Sequence, residues 1–210
     1  MPDHDGRSSS AVVAVYAVIP AAGRSRRMGS AKQLLPYGDR TVLETVIETL
    51  LAAPINGLAV VTHTAVANEL DLPEDPRFLT VINDDAESQM LDSIRMGVDA
   101  LRQALTPPDD SGVLVCPGDM PLIDVATVTS CIAAFFDHPD AIVVASHGGK
   151  RGHPIIVPLS MLPELATITD GGLAELLTRH AESVHRVDCP TPGVTQDLNT
   201  PEDYGGLAQP

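Results

Sequence analysis

Positive charge is scarce in this chain of 210 residues. Thirteen lysines and arginines stand against 28 aspartates and glutamates, so the formal net charge is −15 at pH 7. A surface of that sign repels nucleic acid and anionic membrane surfaces, so we expect neither as a partner. An anionic ligand would require a local cluster of basic side chains.

Cysteine is also scarce, and long apolar runs are absent. Cys116, Cys131 and Cys189 are an odd set without a Cys-x-x-Cys pair, which argues against a disulfide framework and a zinc knuckle and favours the reducing cytoplasm. Cys116 and Cys131 lie in apolar runs, so we expect them in the core. No apolar run approaches the length of a membrane span, and the first ten residues, MPDHDGRSSS, are unlike a signal peptide. We therefore expect a soluble protein.

The length and hydrophobic content predict one domain. A chain with 44% hydrophobic residues can bury one sizeable core at this length, so we assign residues 11–210 to one domain and residues 1–10 to a disordered tail. Short apolar runs alternate with segments of helical period, which predicts an α/β fold whose mostly parallel sheet has helices on both faces. The predicted strands are 12–19, 57–62, 78–82, 112–116, 141–146 and 153–158, and the predicted helices are 41–52, 88–105 and 124–136.

A basic cluster follows the first predicted strand. It consists of Arg24, Arg26, Arg27 and Lys32. Ala21, Ala22 and Gly23, just before it, are small enough for backbone N–H groups to approach an anion, and ligands of such sheets gather at the carboxyl ends of the strands. The spacing fits neither Gly-x-Gly-x-x-Gly nor the Walker A pattern. The loop therefore predicts a polyphosphate site, with a solvated run of surface charge as the alternative.

Asp119 occupies the corresponding position after the fourth predicted strand, in CPGDMPLI. A carboxylate there can bind Mg²⁺ through oxygen, although the usual role of a lone aspartate in a loop is to cap a helix or a turn. A second oxygen donor would favour the metal, and QDLNTPEDY near the C-terminus offers Asp197 or Asn199. The sequence does not show whether the two segments meet.

Five segments in order resemble the MobA-like nucleotidyltransferases, and within them most closely the molybdenum cofactor cytidylyltransferases. They are PAAGRSRRMGSAKQLLP, QMLDSIRMGV, PGDMPLI, RGHPIIVP and DLNTPEDY, and together they cover nearly the whole chain. The resemblance implies a Rossmann-like single domain that binds a nucleoside triphosphate and Mg²⁺. It also implies transfer of the nucleotidyl group to a phosphorylated acceptor, with release of pyrophosphate.

The resemblance assigns roles to the basic loop and to the two aspartates. It implies that the loop residues Ala21, Ala22, Gly23, Arg24 and Ser25 cradle the triphosphate. Arg27 would neutralise the departing β- and γ-phosphates, and Lys32 would contact the α-phosphate. Asp119 would hold Mg²⁺ together with Asp197, or with Asn199 as the nearby alternative.

The resemblance also points to residues around the base and the acceptor. Ser93 matches a serine that contacts the base or ribose, and the alternative is a structural serine on a helix face. This chain departs from the family nearby, because it has Gln89 where the family often has glycine. Arg151 and His153 match a segment that faces the acceptor, with an exposed turn and a capping histidine as the alternative.

Residue 22 bears on the choice of nucleotide. Guanylyl enzymes of the family tend to have Gly-Gly where this chain has Ala22-Gly23, so the resemblance favours CTP, with molybdopterin cofactor as acceptor and a recipient molybdoenzyme as a further partner. The alternatives are a guanylyltransferase, a sugar- or alcohol-phosphate nucleotidyltransferase, and a nucleotide-sensing module without turnover. A sensing module would have no need of Lys32, Asp119 and Asp197 together, and all three are present.

Overall fold

The computed structural model describes residues 13–23, 31–169, 171–198 and 201–205. Its strands are β1 (Val15–Pro20), β2 (Pro36–Tyr37), β3 (Arg40–Thr41), β4 (Gly57–Thr62), β5 (Phe78–Ile82), β6 (Gly112–Val115), β7 (Ile142–His147), β8 (Lys150–Pro158) and β9 (Val184–Asp188). Its α-helices are α1 (Val42–Ala52), α2 (Thr64–Ala67), α3 (Met90–Leu105), α4 (Val125–Asp137), α5 (Gly172–Arg179) and α6 (Pro201–Gly205). Shorter 3₁₀ segments span Lys32–Leu34, Leu159–Thr167, Ala181–Ser183 and Pro192–Thr195. The predicted tail, residues 1–10, lies outside the described residues.

Seven strands form one sheet in the order β5-β4-β1-β6-β8-β7-β9. The pairs β5–β4, β4–β1, β1–β6 and β7–β9 are parallel, whereas β8 is antiparallel to both of its neighbours. The predicted α/β class with a mostly parallel sheet is confirmed. The edge strand β9 was not predicted, because its residues are exposed or half-buried and carry no apolar run.

The reversal at β8 follows from the turn that precedes it. Gly148 and Gly149 connect β7 to β8 with φ angles of +56° and +80°. Two successive residues with positive φ are typical of a tight hairpin turn, and a connection of that length joins only antiparallel strands. The pair of glycines therefore sets the direction of β8.

Helices pack on both faces of the sheet, as predicted. Alternate residues of β1 point to opposite sides: Val15, Ala17 and Ile19 join the core formed with α1 and α4, whereas Tyr16 and Val18 join the core formed with α3 and α5. Cys116 and Cys131 are fully buried, and burial raises the pKa of both thiols, that of Cys131 to about 12. Their predicted place in the core is confirmed. In the part of the chain described, none of the helices has the length and apolar character needed to span a membrane.

The segment after β9 is fixed between β8 and the loop that contains Asp119. A Cβ atom on Gly152 would lie 1.9 Å from the carbonyl oxygen of Val194, and one on Gly193 would lie 2.4 Å from that of Leu122. A few residues on, the N–H of Leu198 donates to the carbonyl oxygen of Asp119 at 3.0 Å. The close backbone approach at the two glycines thus holds the C-terminal segment beside Asp119.

We predict that Gly152→Ala weakens this packing. The added methyl group would overlap the backbone at Val194, so the free energy of unfolding should fall by about 1 to 3 kcal/mol. Urea denaturation followed by circular dichroism measures the change. Gly23→Ala is the control, since a Cβ there meets nothing within 4 Å and should cause no such loss. Equal stability of the two variants would contradict the proposed close contact.

Candidate active site

A cleft lies at the carboxyl edge of the sheet, where the loops after β1 and β6 meet the start of α3. Because β1 and β6 are adjacent and parallel, their ends place these two loops side by side. The residues that line the cleft are Pro20, Ala21, Ala22, Gly23, Lys32, Gln33, Ser88, Gln89, Met90, Ser93, Pro117, Gly118 and Asp119. The fold therefore brings together segments that are far apart in the sequence.

The two loops approach each other closely at Gly118. A Cβ atom on this residue would lie 2.9 Å from Cδ1 of Leu43 and 3.0 Å from Cβ of Ala21. The N–H of Ala21 donates to the carbonyl oxygen of Val61 at 2.8 Å, which ties the first loop to β4. A small residue is thus required at position 118 for the loop of Asp119 to reach the first loop.

Gln33 holds the first loop from beneath. Its side chain is buried, and Nε2 donates to the carbonyl oxygens of Ala21 at 2.8 Å and Gly23 at 3.1 Å. These oxygens therefore point at an amide donor, which keeps the small-residue loop in one conformation. Sequence reasoning missed Gln33, since a single glutamine beside Lys32 carries no pattern beyond its position.

Lys32 and Asp119 form an ion pair inside the cleft. Lys32 Nζ contacts Asp119 Oδ2, and the two side chains are only 16% and 12% exposed. Asp119 Oδ1 is buried and has no hydrogen-bond partner among the described residues. A buried carboxylate oxygen without a donor is costly, so the geometry leaves one negative oxygen available to a ligand or a cation.

The donor set can be compared with what Mg²⁺ requires. No group of three or more His, Cys, Asp or Glu side chains suited to a metal occurs within the described ranges. Mg²⁺ commonly takes one or two protein carboxylates and completes its coordination with water and substrate phosphates. Asp119, with its uncommitted oxygen, fits that requirement. Asp197 follows in the segment that Leu198 fastens to Asp119, and Asn199 lies outside the described residues.

His153 lies near both predicted metal ligands. Its Nδ1 is 3.4 Å from the carbonyl oxygen of Val115, and the carboxylates of Asp119 and Asp197 are close enough to raise its pKa. Burial has the larger effect and lowers the pKa overall, because the cation loses hydration. Neutral imidazole is therefore favoured here. Arg151, two residues earlier on β8, is exposed.

The start of α3 forms the opposite wall of the cleft. The helix begins at Met90 with Gln89 as its N-cap, so the positive end of its dipole lies at the cleft. Ser93, in the first turn, is buried and also lines the cleft. The position predicted to contact base or ribose thus lies on the same cleft as the first loop.

A second cavity adjoins the cleft and includes residues that sequence reasoning missed. It shares Gly23 and Gln33 with the cleft and adds His63 and Asp84 from the ends of β4 and β5. His63 Nδ1 is 3.7 Å from Asp84 Oδ1, and His63 Nε2 is buried without a partner in the described part of the chain. Neither residue belongs to a recognisable motif, so only the fold reveals the pair.

Six of the predicted site residues line one cleft. They are Ala21, Ala22, Gly23, Lys32, Ser93 and Asp119. Arg24, Ser25 and Arg27 lie outside the described residues, so their predicted contacts with phosphate stay predictions.

The model of the MobA-like NTP transferase domain matches residues 17–184. This chain belongs to that family. The match begins in β1 and ends at the start of β9, so it spans both loops that form the cleft. The MobA-like chain is therefore a nucleotidyltransferase by family, with a Rossmann-like fold.

Individual relatives carry different names. Nicotine blue oxidoreductase of Paenarthrobacter nicotinovorans is 28% identical over 90% of this chain and 93% of its own length. Molybdenum cofactor cytidylyltransferase of Escherichia coli K12 is 26% identical over 91% of this chain and 94% of its own length. The crystal structure of Rv0371c from Mycobacterium tuberculosis H37Rv superposes with a TM-score of 0.77 and 27% identity, covering 92% of this chain and 96% of that one. The family is thus shown, whereas the names do not agree on a substrate.

We predict that Gln33→Leu weakens nucleotide binding. The substitution keeps the side chain's approximate size but leaves the carbonyl oxygens of Ala21 and Gly23 without their donor, so the first loop loses its fixed conformation. Loss of two hydrogen bonds should raise the KM for the nucleotide by about 10- to 100-fold. Steady-state kinetics measures this, with thermal unfolding as the check on folding. An unchanged KM would show that Gln33 does not support the binding loop.

Proposed function

We propose that this protein transfers CMP from CTP to a phosphorylated acceptor, molybdopterin cofactor, and releases pyrophosphate in a magnesium-dependent reaction. The observation that carries the proposal is the Lys32–Asp119 pair. A cation and a carboxylate, one oxygen of which has no partner among the described residues, meet in a cleft walled by a small-residue loop. Such a pair offers a positive group to phosphate and a negative oxygen to a metal. Both are needed where a triphosphate reacts.

The chemistry requires stabilisation of charge and no protein nucleophile. A phosphate oxygen of the acceptor attacks the α-phosphorus of CTP, a new P–O bond forms, and the bond to the β-phosphate oxygen breaks. Negative charge grows on the bridging and nonbridging oxygens as pyrophosphate leaves. Lys32 neutralises charge at the α-phosphate, and Arg27, by its resemblance to the family motif, does so at the departing phosphates.

Asp119 would hold Mg²⁺, with Asp197 as the second protein ligand. When bound, Mg²⁺ supplies positive charge to the phosphate oxygens and orients them. Before substrate enters, Lys32 compensates the carboxylate of Asp119. Phosphate oxygens then compete for the ammonium group, so Lys32 exchanges one anionic partner for another and no charge is left buried alone.

The acceptor side of the proposal involves Arg151 and His153. Arg151 is exposed and cationic at the start of β8, where it could pair with the acceptor's phosphate. His153, half-buried and favoured in its neutral form, offers a ring nitrogen beside the aspartates. A recipient molybdoenzyme in the cytoplasm would take up the product. The buried, unpaired cysteines are consistent with that reducing compartment.

One panel tests the proposed reaction. The protein is incubated with Mg²⁺, each of the four nucleoside triphosphates in turn, and either molybdopterin or a sugar or alcohol phosphate as acceptor. Pyrophosphate release and nucleotide binding are both followed. Release with CTP and molybdopterin supports the proposal. Release with CTP and a sugar or alcohol phosphate alone would point to another acceptor, and nucleotide binding without release would point to a sensing module.

We predict that Asp119→Ala abolishes turnover while Lys32→Ala chiefly lowers kcat. Asp119→Ala removes the carboxylate that would hold the metal. Lys32→Ala should lower kcat by on the order of 10²- to 10³-fold if Lys32 acts mainly in the transition state. Pyrophosphate release at saturating CTP measures both, with circular dichroism as the check on folding. Turnover of Asp119→Ala within tenfold of wild type would exclude Asp119 from the metal site. An unchanged kcat in Lys32→Ala would limit Lys32 to ground-state binding.

We also predict a preference for CTP over GTP that depends in part on Ala22. Its methyl group occupies space at the cleft wall, and one methyl group in a pocket is worth about 1 to 3 kcal/mol, or roughly 10- to 200-fold in kcat/KM. Ala22→Gly should narrow the preference without creating an efficient guanylyltransferase. The ratio of kcat/KM for the two nucleotides measures this. A wild-type ratio of one or below would identify a guanylyl enzyme with the same transfer chemistry.

A further inference from the structure

Asn83 is a buried polar residue directly after β5, and neither the sequence motifs nor the proposed mechanism uses it. Its side chain is only 4% exposed. Its backbone N–H donates to the carbonyl oxygen of Thr62 at 2.9 Å, which fixes the residue at the carboxyl edge of the sheet. Its amide nitrogen lies 2.7 Å from Ser88 Oγ and 3.3 Å from Ser93 Oγ. Asn83 thus connects β5 with two serines on the wall of the cleft.

The hydrogen bonds determine which way the amide of Asn83 faces. The backbone N–H of Asp85 donates to Oδ1 of Asn83 at 3.3 Å, and a backbone N–H can only be a donor. The oxygen of the amide must therefore face Asp85, and the NH₂ group must face Ser88 and Ser93. Because an amide NH₂ donates and does not accept, both serine hydroxyls accept a hydrogen bond from Asn83.

This arrangement leaves the hydroxyl protons of both serines to other acceptors. A hydroxyl has one proton to donate, and neither Ser88 nor Ser93 donates it to a protein group among the described residues. Both serines line the cleft. We propose that Asn83 is a positioning residue that presents these two hydroxyls to the bound nucleotide as hydrogen-bond donors, and so selects a base edge with adjacent acceptors.

Cytosine has such an edge. Its O2 and N3 are neighbouring acceptors, whereas uracil has an N–H donor at N3. Guanine has N–H donors at N1 and N2 and its adjacent acceptors, O6 and N7, on a different edge, so the comparison that tests hydrogen-bond direction is the one between cytosine and uracil. Two hydroxyl donors on this wall match both acceptors of cytosine and only O2 of uracil. The inference rests on the proposed nucleotidyl transfer and deepens it, because it names a source of base selectivity that does not depend on the size of the pocket.

Asn83→Asp tests the inference with almost no change in shape. A carboxylate still accepts from the N–H of Asp85 but offers the serines no donor, so their protons turn towards it and their oxygens face the cleft as acceptors. Isothermal titration calorimetry with CTP and with UTP, in Mg²⁺ and without acceptor, measures the result. We expect the ratio of CTP affinity to UTP affinity to fall by on the order of tenfold.

The ratio of CTP affinity to UTP affinity separates an effect of hydrogen-bond direction from effects of the added charge and of damage to the fold. The new negative charge weakens both nucleotides alike, and so would a distorted cleft wall. Asn56→Asp is the matched control: Asn56 Oδ1 accepts from the N–H of Val15 at the opposite edge of the sheet, so the variant adds the same charge there and should leave the ratio unchanged. If Asn83→Asp does not fold, Ser88→Ala and Ser93→Ala decide, since at least one must weaken CTP more than UTP.

These measurements distinguish failure of the inference about Asn83 from failure of the proposed nucleotidyl transfer. A wild-type protein that releases no pyrophosphate but shows the shifted ratio would refute the transfer and support the inference. An unchanged ratio in Asn83→Asp, an equal loss for both nucleotides, or no binding of CTP by the wild type would overturn the inference.

Discussion

The contact between Lys32 and Asp119 is the constraint around which the cleft is organised. Each group would be costly to bury alone, so the pair requires the loop after β1 and the loop after β6 to meet, although the residues lie 87 positions apart. That meeting depends on Gly118, which has no side chain to hold the loops apart, and on Gln33, which fixes the carbonyl groups beneath the first loop. The mutual neutralisation of Lys32 and Asp119 thus determines how the two loops are placed in the wall of the cleft.

Discrimination between nucleotides would come from two sources of different strength. A methyl group such as that of Ala22 excludes by volume, and volume differences of this size give modest ratios. Hydrogen-bond direction is more discriminating, because a mismatched base leaves buried donors facing each other without acceptors. The wall formed by Asn83, Ser88 and Ser93 would discriminate by hydrogen-bond direction, and it lies between the end of β5 and the first turn of α3.

The sequence predicted the parts of the site that follow from strand order. Ala21 to Gly23, Lys32 and Asp119 were found because parallel strands end at one edge, and the resemblance added Ser93. Gln33 and Asn83 were missed because a single buried amide leaves no periodic pattern and its partners are distant in sequence. The approach of Asp197 to Asp119 depends on contacts at Gly152 and Gly193, which only the assembled backbone reveals. Likewise, β9 has no apolar run because it is an edge strand.

The reversed direction of β8 has a consequence for how two substrates could meet. Since β8 runs against β6, it begins at the edge where β6 ends, with Ile155 paired to Val115. Arg151 and His153 therefore extend from the start of a strand, while the facing residues of the nucleotide side extend from loops. Arg151 is paired to Ser146 of β7, and the ladder with β6 begins at Ile155, so paired backbone holds this end of the strand. The acceptor's phosphate would then be bound by residues of a paired strand, and the nucleotide by residues of loops.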